Sequence, residues 1–341
     1  MYLDLAQLLP ASAMTRVEKC LRFEVESDLP FMEEAASHLI NAGGKRIRPG
    51  LVIACANIGS ESSLDANSSL DTDSNIGSES IDETTVWAGV SVELVHIGSL
   101  HHDDVIDGAA TRRNVASINT KWDTLTAVLS GDFLLARASV LAARIGSEAS
   151  NLLATTIGEL CEGQIREHQD AHSCDRTIQS YELSIRGKTA SLLSASCRLG
   201  GLTGGLTREE TEAVTEFGRS YGMAFQIFDD INDFTSDHSA LGKPSGQDVM
   251  EGNYTLPVLL TLKTPAGEEL LDLLSGGLQE QNRQRVLEIV RSGQGTQEAM
   301  EVARSWSHKA IDSLSSLRDT PPANNLRNAA QTLLANLPHS T

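Results

Sequence analysis

The sequence predicts an all-α protein, on the placement of its prolines and the spacing of its apolar residues. All nine prolines lie at or before Pro49 or at Pro244 and beyond, so the 194 residues from Gly50 to Lys243 contain none. Proline costs about 3 kcal/mol in a helix interior, and such a gap is therefore typical of long helices. Alternation of β-branched and aromatic residues is sparse over this span, whereas apolar residues recur every three or four positions.

The predicted helices cover most of the chain. Val86, Val90 and Leu94 belong to an apolar helix that ends near residue 107. Four further stretches have the same spacing and predict long helices: 124–146, 150–169, 177–199 and 208–234. Thr177 and Thr207 are the expected N-caps of the last two. Residues 266–337 predict shorter helices packed around the main bundle. Because no linker separates these parts, we expect residues 1–341 to form a single domain.

Residues 58–85 interrupt the helical pattern. They contain seven acids and no base, are rich in Ser, and carry the pentapeptide IGSES twice. Such a composition buries too little apolar surface to offset the entropy of ordering the chain. We therefore expect a mobile acidic surface loop at about 58–85. A tolerated insertion is its simplest interpretation, and a regulatory or partner-binding role is the alternative.

The charge and the cysteines limit the class of function. Lys and Arg total 27 against 46 Asp and Glu, and the formal net charge of −19 argues against a nucleic-acid partner. The five cysteines form no CxxC pair, which indicates a reducing compartment. The N-terminal residues lack the basic start of a signal peptide, and no uninterrupted apolar run approaches the roughly 18 residues of a membrane span. We expect a cytoplasmic protein.

Two aspartate clusters carry the chemical information. Both have the form DDxxD and end an apolar helix; they comprise Asp103, Asp104 and Asp107 in HHDDVID, and Asp229, Asp230 and Asp233 in FDDIND. The i, i+4 spacing places the outer carboxylates of each cluster on one helix face, with β-carbons about 5–6 Å apart. Like charges at the negative end of a helix dipole destabilise the helix. Two copies 126 residues apart therefore argue against solvated helix ends.

A divalent cation explains this arrangement. Carboxylate oxygens are hard ligands, and Mg²⁺ commonly binds one or two carboxylates together with phosphate oxygens. Two such helices facing each other would hold a cluster of Mg²⁺ ions bridged by a diphosphate. Basic residues suited to a diphosphate occur in GGKRIRP (43–49), in the Arg112–Arg113 pair, and at Lys188 and Lys243.

The chain resembles the trans-isoprenyl diphosphate synthases, the polyprenyl synthetase family. The resemblance runs from about Gly43 to Pro257 through seven motifs in the family's order: GGKRIRP, LVHIGSLHHDDVIDGAATRR, GDFLLARA, RGKTASL, MAFQIFDDINDF, LGKPSGQD and EGNYTLP. It implies an all-α bundle of the isoprenoid synthase type around a deep central cavity, usually as a homodimer. It also implies Mg²⁺-dependent, head-to-tail condensation of isopentenyl diphosphate onto an allylic diphosphate, with three Mg²⁺ ions per active site.

The resemblance assigns roles to the matching positions. The residues that match the principal Mg²⁺ ligands are Asp103, Asp107 and Asp229, and those in supporting positions are Asp104, Asp230 and Asp233, of which Asp233 is a further candidate ligand. The residues expected to hold the allylic diphosphate are Arg112, Lys188 and Lys243. Thr189 and Gln226 would line the reacting carbons, where their dipoles stabilise a carbocation. The residues expected to hold isopentenyl diphosphate are Lys45, Arg48, His96 and Arg113.

The implied chemistry needs no nucleophilic Ser or Cys. Mg²⁺ and the basic residues neutralise the charge on the departing pyrophosphate, so that the allylic C–O bond ionises. The double bond of isopentenyl diphosphate then attacks the allylic cation, and a proton is lost to the released pyrophosphate.

Three positions depart from the family's pattern. Asn253 stands where a lysine is common, Asn114 stands where Gly commonly follows the Arg pair, and His101 stands where an aliphatic residue is usual. None of the three removes an expected metal ligand, so we expect reduced affinity at most.

The length of the product is predicted from the residues that precede the first aspartate. One helical turn rises about 5.4 Å, close to one extended isoprene unit. In the family, bulky aromatics four or five residues before that aspartate stop chain growth, whereas Ser99 and Gly98 are small here and Val95, one turn deeper, is modest in size. Trp87 is a candidate floor, and the alternative is an ordinary core tryptophan. We expect geranylgeranyl or a longer product, and we expect Gly98→Phe to shorten it.

Two other functions stay open at this stage. A class I terpene cyclase also ionises a diphosphate with aspartate-bound Mg²⁺, but GGKRIRP and the second DDxxD speak against it. The other is a non-catalytic subunit that binds a synthase partner. Such chains usually lose an aspartate motif, and this one keeps both.

Overall fold

The computed structural model describes residues 11–66, 81–235 and 245–336, with side chains described to residue 59 in the first range. These residues are helical apart from short connections and one hairpin of two-residue strands, so the all-α prediction is confirmed. Residues 67–80, from the segment predicted as a loop, and Lys243 lie outside the described residues.

The elements follow one another with short connections. The first half contains α1 (Ala11–Glu24), α2 (Pro30–Asn41), α3 (Ile47–Ala66), α4 (Glu83–Ile106), β1 (Thr111–Arg112), β2 (Val115–Ala116), α5 (Ile118–Lys121), α6 (Thr124–Ile145) and α7 (Ser147–Gln169). The second half contains α8 (Ile178–Ile185), a π-turn (Arg186–Ala190), α9 (Ser191–Thr203), α10 (Arg208–Thr235), α11 (Gln247–Met250), α12 (Leu256–Thr261), α13 (Gly267–Leu274), a 3₁₀ turn (Glu280–Asn282), α14 (Arg283–Ser292), α15 (Gln294–Ser313) and α16 (Pro321–Ala335).

The predicted N-caps are confirmed. The Thr177 hydroxyl accepts a hydrogen bond from the Ser180 amide at 3.0 Å and starts α8. The Thr207 hydroxyl accepts one from the Glu210 amide at 3.3 Å, and the Glu210 carboxylate accepts one from the Thr207 amide at 2.9 Å, which forms a capping box.

The helix predicted at 177–199 differs from the structure in one respect, because the π-turn separates α8 from α9. The π-turn lies where α7 crosses closely. A Cβ added to Gly187 would lie 2.5 Å from the carbonyl oxygen of Glu159, and one added to Gly163 would lie 2.4 Å from the amide nitrogen of Lys188. Two glycines are therefore required at this crossing.

The boundaries of the predicted acidic loop are corrected at both ends. Helix α3 continues to Ala66 rather than ending near residue 58, and α4 begins at Glu83 rather than after residue 85. The Asp82 carboxylate caps α4 by accepting a hydrogen bond from the Thr84 amide at 3.3 Å.

The core places α4 and α10 inside the bundle. Helix α4 packs against α3, α6 and α9, and its Leu94 and Ile97 are fully buried. Helix α10 packs against α9 and α15 through buried residues that include Phe217 and Ile231. Because both aspartate clusters end these buried helices, their carboxylates lie at the rim of the bundle's interior.

Helix α6 has a second, exposed apolar face. By length and composition alone it could cross a membrane, although it is also the main packing partner of α4. Leu125, Leu129 and Val140, on the face turned away from the core, are all exposed. This face, which we call the α6 stripe, is large for a surface helix.

Candidate active site

The first aspartate cluster lies at the C-terminal end of α4. Burial, with a contribution from the neighbouring Asp107 carboxylate, raises the pKa of Asp103 to about 6 against the opposing effect of Lys188 and Arg112. Burial also raises the pKa of Asp107. Asp104 is fully buried and accepts a hydrogen bond from Nε of Arg112 at 2.7 Å. Asp104 therefore holds Arg112 beside the outer pair of carboxylates.

The second cluster lies at the end of α10. Burial and the adjacent Asp230 raise the pKa of Asp229 to about 8. Asp230 is buried, and it accepts hydrogen bonds from the Tyr181 hydroxyl and, at 2.9 Å, from the Gln226 amide nitrogen. The two middle aspartates, Asp104 and Asp230, are thus both committed to partners within the protein.

Asp233 closes the same cluster toward α11. Its two carboxylate oxygens lie 3.3 Å from the amide nitrogens of Gln247 and Asp248, which donate to them. The carboxylate of Asp233 therefore sits at the N-terminus of α11, where the free amide groups favour negative charge.

The π-turn places Lys188 between the two clusters. Its ammonium donates a hydrogen bond to the Glu167 carboxylate of α7, and both side chains are mostly buried. Lys188 lowers the pKa values of Asp103 and Asp107, whereas Glu167 raises those of Asp103 and Asp230. Because charges shift one another's pKa mainly at short range, this ion pair bridges the two helix ends.

A cavity of about 120 Å³ opens beside this ion pair. It is lined by Glu167, Tyr181, Ile185, Lys188, Thr189, Gln226, Asp230, Asp248, Asn253 and Thr255. The Thr189 hydroxyl donates to the Gln226 side-chain oxygen at 2.7 Å, so these two predicted site residues lie together. The structure therefore gathers Lys188, Thr189, Gln226 and Asp230 around one space, and we call this space the Lys188 cavity.

The second group of predicted residues forms a cationic site around His96, which Arg112 adjoins. Arg48, His96 and Arg113 lie close enough for the two arginines to lower the pKa of His96 well below its usual range, and burial contributes most to that shift. Burial also lowers the pKa of Arg48 to about 10, and its Nε is buried without a hydrogen-bond partner. Such an arrangement of buried donors and positive charge suits an anion. Lys45 is exposed nearby along the chain.

Two glutamates that the sequence patterns did not single out, Glu18 and Glu93, help to hold this cationic site together. Arg46 is buried in the left-handed backbone region (φ 47°) and pairs with Glu93 at 2.9 Å and Glu18 at 2.6 Å. Arg113 donates to the carbonyl oxygens of Leu39 at 2.9 Å and Gly43 at 2.5 Å. A Cβ on Gly44 would lie 3.1 Å from both guanidinium groups. Glycine is needed there because two arginines pack against the loop.

The departures at Asn114 and His101 have local explanations. Arg113 and Asn114 form the turn between β1 and β2 with φ of 52° and 63°. Asparagine tolerates this region better than other residues that carry a Cβ. His101 is buried, hydrogen-bonds Ser130 of α6 at 2.8 Å, and has a pKa lowered to about 3 by burial and by His102. It is therefore a neutral core histidine.

The residues predicted to control chain length occupy different environments. Gly98 packs against α6, where an added Cβ would lie 3.0 Å from the Gly131 carbonyl oxygen. This corrects the expectation that a Phe at position 98 would reach into the cavity, because it would instead push α6 away. Val95 is fully buried. Ser99 is partly exposed and lies one turn before Asp103 on the same helix face.

Trp87 is partly buried at the start of α4. It packs against the core that α4 shares with α1 and α6, and the Arg144 guanidinium lies 5.8 Å from its ring centre. These contacts agree with the alternative of a core tryptophan.

The helical bundle has the isoprenoid synthase fold, and the two aspartate clusters end its buried helices α4 and α10. The chain belongs to the polyprenyl synthetase family, which its residues 29–292 match. The resemblance inferred from the seven motifs is thus confirmed, and the chain is a prenyltransferase.

Individual relatives agree in sequence and in fold. The chain is 36% identical over 302 residues to heptaprenyl diphosphate synthase component 2 of Bacillus subtilis, covering 88% of this chain and 81% of the relative. It is 36% identical over 313 residues to nonaprenyl diphosphate synthase of Mycobacterium tuberculosis, covering 91% and 88%. The crystal structure of polyprenyl synthase from Caulobacter crescentus, complexed with calcium and isoprenyl diphosphate, superposes with a TM-score of 0.85 at 27% identity and covers 98% of both chains.

Proposed function

We propose that the chain condenses isopentenyl diphosphate head-to-tail onto an allylic diphosphate, as a Mg²⁺-dependent homodimer. We further propose that the product is an all-trans polyprenyl diphosphate longer than geranylgeranyl. One observation supports the proposal: basic side chains gather at two places, Lys188 and Arg112 beside the first aspartate cluster and Arg48 and Arg113 beside His96, and Arg112 adjoins both. A reaction that joins two diphosphates needs two such sites, whereas a cyclase needs one.

The aspartates fit Mg²⁺. Their pKa values are raised, chiefly by burial, so their negative charge is unfavourable in the metal-free protein. Among the described residues, no three His, Cys, Asp or Glu side chains converge closely enough to hold a metal ion by themselves. Mg²⁺ commonly binds one or two carboxylates and completes its shell with water and substrate phosphate. The Caulobacter relative holds calcium together with isoprenyl diphosphate.

In the proposed reaction, the side chains of this protein bind the two diphosphates and orient their reacting carbons. Lys188 and Arg112 bind the allylic diphosphate, and Asp103, Asp107 and Asp229 hold Mg²⁺, which when bound neutralises charge developing on the leaving group. Thr189 and Gln226 present hydroxyl and amide dipoles to the allylic carbons. Arg48, His96 and Arg113 orient isopentenyl diphosphate so that its double bond faces those carbons.

Incubation of the purified protein with Mg²⁺, radiolabelled isopentenyl diphosphate and each allylic primer tests the proposal. We expect chain-elongated diphosphates that disappear when a chelator is added. Cyclised hydrocarbon made from the allylic substrate alone would support a terpene cyclase. Activity only after a second protein is added would support a subunit of a two-component synthase, a possibility that the name of the Bacillus relative makes worth testing.

The charge on Asp229 should reduce the stability of the metal-free protein. Because its folded pKa of about 8 lies above the unfolded value near 3.8, stability is lost as pH rises between those values. We expect Asp229→Asn to melt at a higher temperature than the native protein, with a difference that is absent near pH 4 and grows toward pH 8. Thermal unfolding in a chelator measures this. A difference independent of pH, or one of opposite sign, would contradict the assignment.

Ser99→Phe should shorten the product. The side chain lies one turn below Asp103 on the partly exposed face of α4, where an aromatic ring would block a chain growing away from the diphosphate. We expect products of no more than about three or four isoprene units, given the helical rise of roughly one unit per turn. Reversed-phase chromatography of the dephosphorylated products measures this. Ser292→Phe, at an exposed serine of α14, should leave the product unchanged.

The α6 stripe should form the dimer interface. Leu129 is 47% exposed on this stripe, and Leu271 of α13 is 43% exposed elsewhere. We expect Leu129→Glu to convert the dimer into a monomer by burying a charge in an apolar contact, whereas Leu271→Glu should not. Light scattering after size-exclusion chromatography measures both. Identical masses for the two variants would place the interface elsewhere.

A further inference from the structure

Arg176 occupies a buried position behind the Lys188 cavity. Only 6% of the residue is exposed; its guanidinium makes three hydrogen bonds, and its Nε also lies 3.3 Å from the Asp170 carboxylate. One Nη donates to the Asn253 side-chain oxygen at 2.8 Å and to the Tyr254 carbonyl oxygen at 3.0 Å, and the other donates to the Ser184 hydroxyl at 2.7 Å. The group thus joins the start of α8 to the segment before α12.

A second route leads from Arg176 to the aspartate cluster. The guanidinium carbon lies 5.5 Å from the centre of the Tyr181 ring, and the Tyr181 hydroxyl donates to the Asp230 carboxylate. Arg176 therefore reaches the cavity wall through Asn253 and the second DDxxD through Tyr181.

The residues that line the Lys188 cavity carry more negative than positive charge, so a nearby cation such as Arg176 affects how the cavity binds an anion. Among the ten residues that line it, Glu167, Asp230 and Asp248 are acids and Lys188 is the cation. A diphosphate in this space adds further negative charge. Arg176 lies behind the wall, where solvent screens its charge little, and the Asp170 carboxylate, 3.3 Å from its Nε, offsets part of that charge.

We propose that Arg176 is a positioning residue for prenyl transfer, which holds Asn253 and the Tyr181–Asp230 pair in place and supplies positive charge behind the diphosphate. The position of this charge fits the departure at residue 253, where Asn replaces the common lysine and accepts a hydrogen bond from Arg176. The inference rests on the proposed binding of an allylic diphosphate in the Lys188 cavity. A purely structural role, tying two segments together, is the competing explanation.

Four variants separate these explanations. Arg176→Gln removes the charge and keeps hydrogen-bonding capacity, and Arg176→Lys keeps the charge. The double variant Arg176→Gln/Asn253→Lys removes the cation at position 176 and places one at position 253, its hydrogen-bond partner. Arg327→Gln is the matched control, because Arg327 likewise donates both to an asparagine side-chain oxygen, that of Asn324 at 2.8 Å, and to backbone carbonyl oxygens, but lies on α16.

The measurements are kcat, KM for each substrate, and the thermal unfolding midpoint. We expect Arg176→Gln to lose roughly tenfold or more in kcat/KM for the allylic diphosphate, the scale of one charged hydrogen bond. KM for isopentenyl diphosphate should stay within about twofold, because the cationic site of Arg48, His96 and Arg113 is separate. Arg176→Lys and the double variant should recover most of the loss, whereas Arg327→Gln should change only the melting temperature.

Each outcome decides between the explanations. If the variants lose kcat/KM only to the extent that their unfolding midpoints fall, Arg176 has a structural role and the positioning role is overturned. The positioning role is also overturned if neither Arg176→Lys nor the double variant recovers activity. The same holds if Arg176→Gln unfolds and the double variant folds but remains inactive. If the native protein elongates no primer, the proposed function is refuted instead. That result differs from failure of the Arg176 proposal, in which the native protein is active and only the variants behave differently from expectation.

Discussion

Asp103→Asn is expected to lower kcat for prenyl transfer by about a thousandfold or more, the scale of losing an essential electrostatic group. Asparagine has nearly the same shape as aspartate but cannot supply the charge that holds a divalent cation at the end of α4. The fold should survive, because burial already raises the pKa of Asp103 to about 6 and its charge is therefore unfavourable in the metal-free protein. Steady-state kinetics together with thermal unfolding measure both effects.

The control for this variant is Asp272→Asn, at an exposed aspartate on α13. It should keep native kcat and native metal dependence. Native activity in Asp103→Asn would show that the first cluster does not hold the metal, and a lowered melting temperature would show that its charge is balanced within the protein.

Lys188→Met is expected to lower kcat/KM for the allylic diphosphate by about a hundredfold to a thousandfold, as loss of one donor to developing negative charge does in other active sites. The ammonium bridges both aspartate clusters through Glu167 and has no equivalent neighbour among the lining residues of the cavity. The single change also leaves the mostly buried Glu167 carboxylate without this partner, which costs stability.

The double variant Lys188→Met/Glu167→Gln separates the two consequences. It should regain thermal stability, because no unpaired carboxylate remains, but it should stay as inactive as Lys188→Met. Recovery of activity in the double variant would mean that Lys188 only neutralises Glu167 and does not bind the diphosphate.

Local chemistry explains what the sequence could predict. The i, i+4 spacing of Asp103 and Asp107 depends on the helix alone, as do the caps at Thr177 and Thr207, and the structure contains each of them. The grouping of Lys188, Thr189 and Gln226 was expected from the family's motifs, and these residues do lie around one cavity.

Features that depend on packing between distant segments were missed. The π-turn at Arg186–Ala190 coincides with the close crossing of Gly163 and Gly187, which are 24 residues apart. Glu167 lies in a part of α7 that belongs to none of the seven motifs, and its place in the site is visible only from its contact with Lys188. Arg46, by contrast, lies inside GGKRIRP, and the glycine-led motif was a signal that could have found it.

The expectation for Gly98→Phe also failed because it depends on packing between distant segments. Helical rise predicts how far a residue lies below Asp103, but the direction of its side chain depends on how α4 rotates against α6. The carbonyl oxygen of Gly131 occupies the space that position 98 faces. Ser99, the next residue, faces the partly exposed side of α4 and is the better probe of chain length.

The most direct test of the account is a crystal structure of the protein with Mg²⁺ and inorganic diphosphate. We predict Mg²⁺ bound to the carboxylates of Asp103 and Asp107 on one side and Asp229 on the other, with the diphosphate between them in contact with Lys188 and Arg112. A diphosphate bound without metal, or bound away from both helix ends, would contradict it.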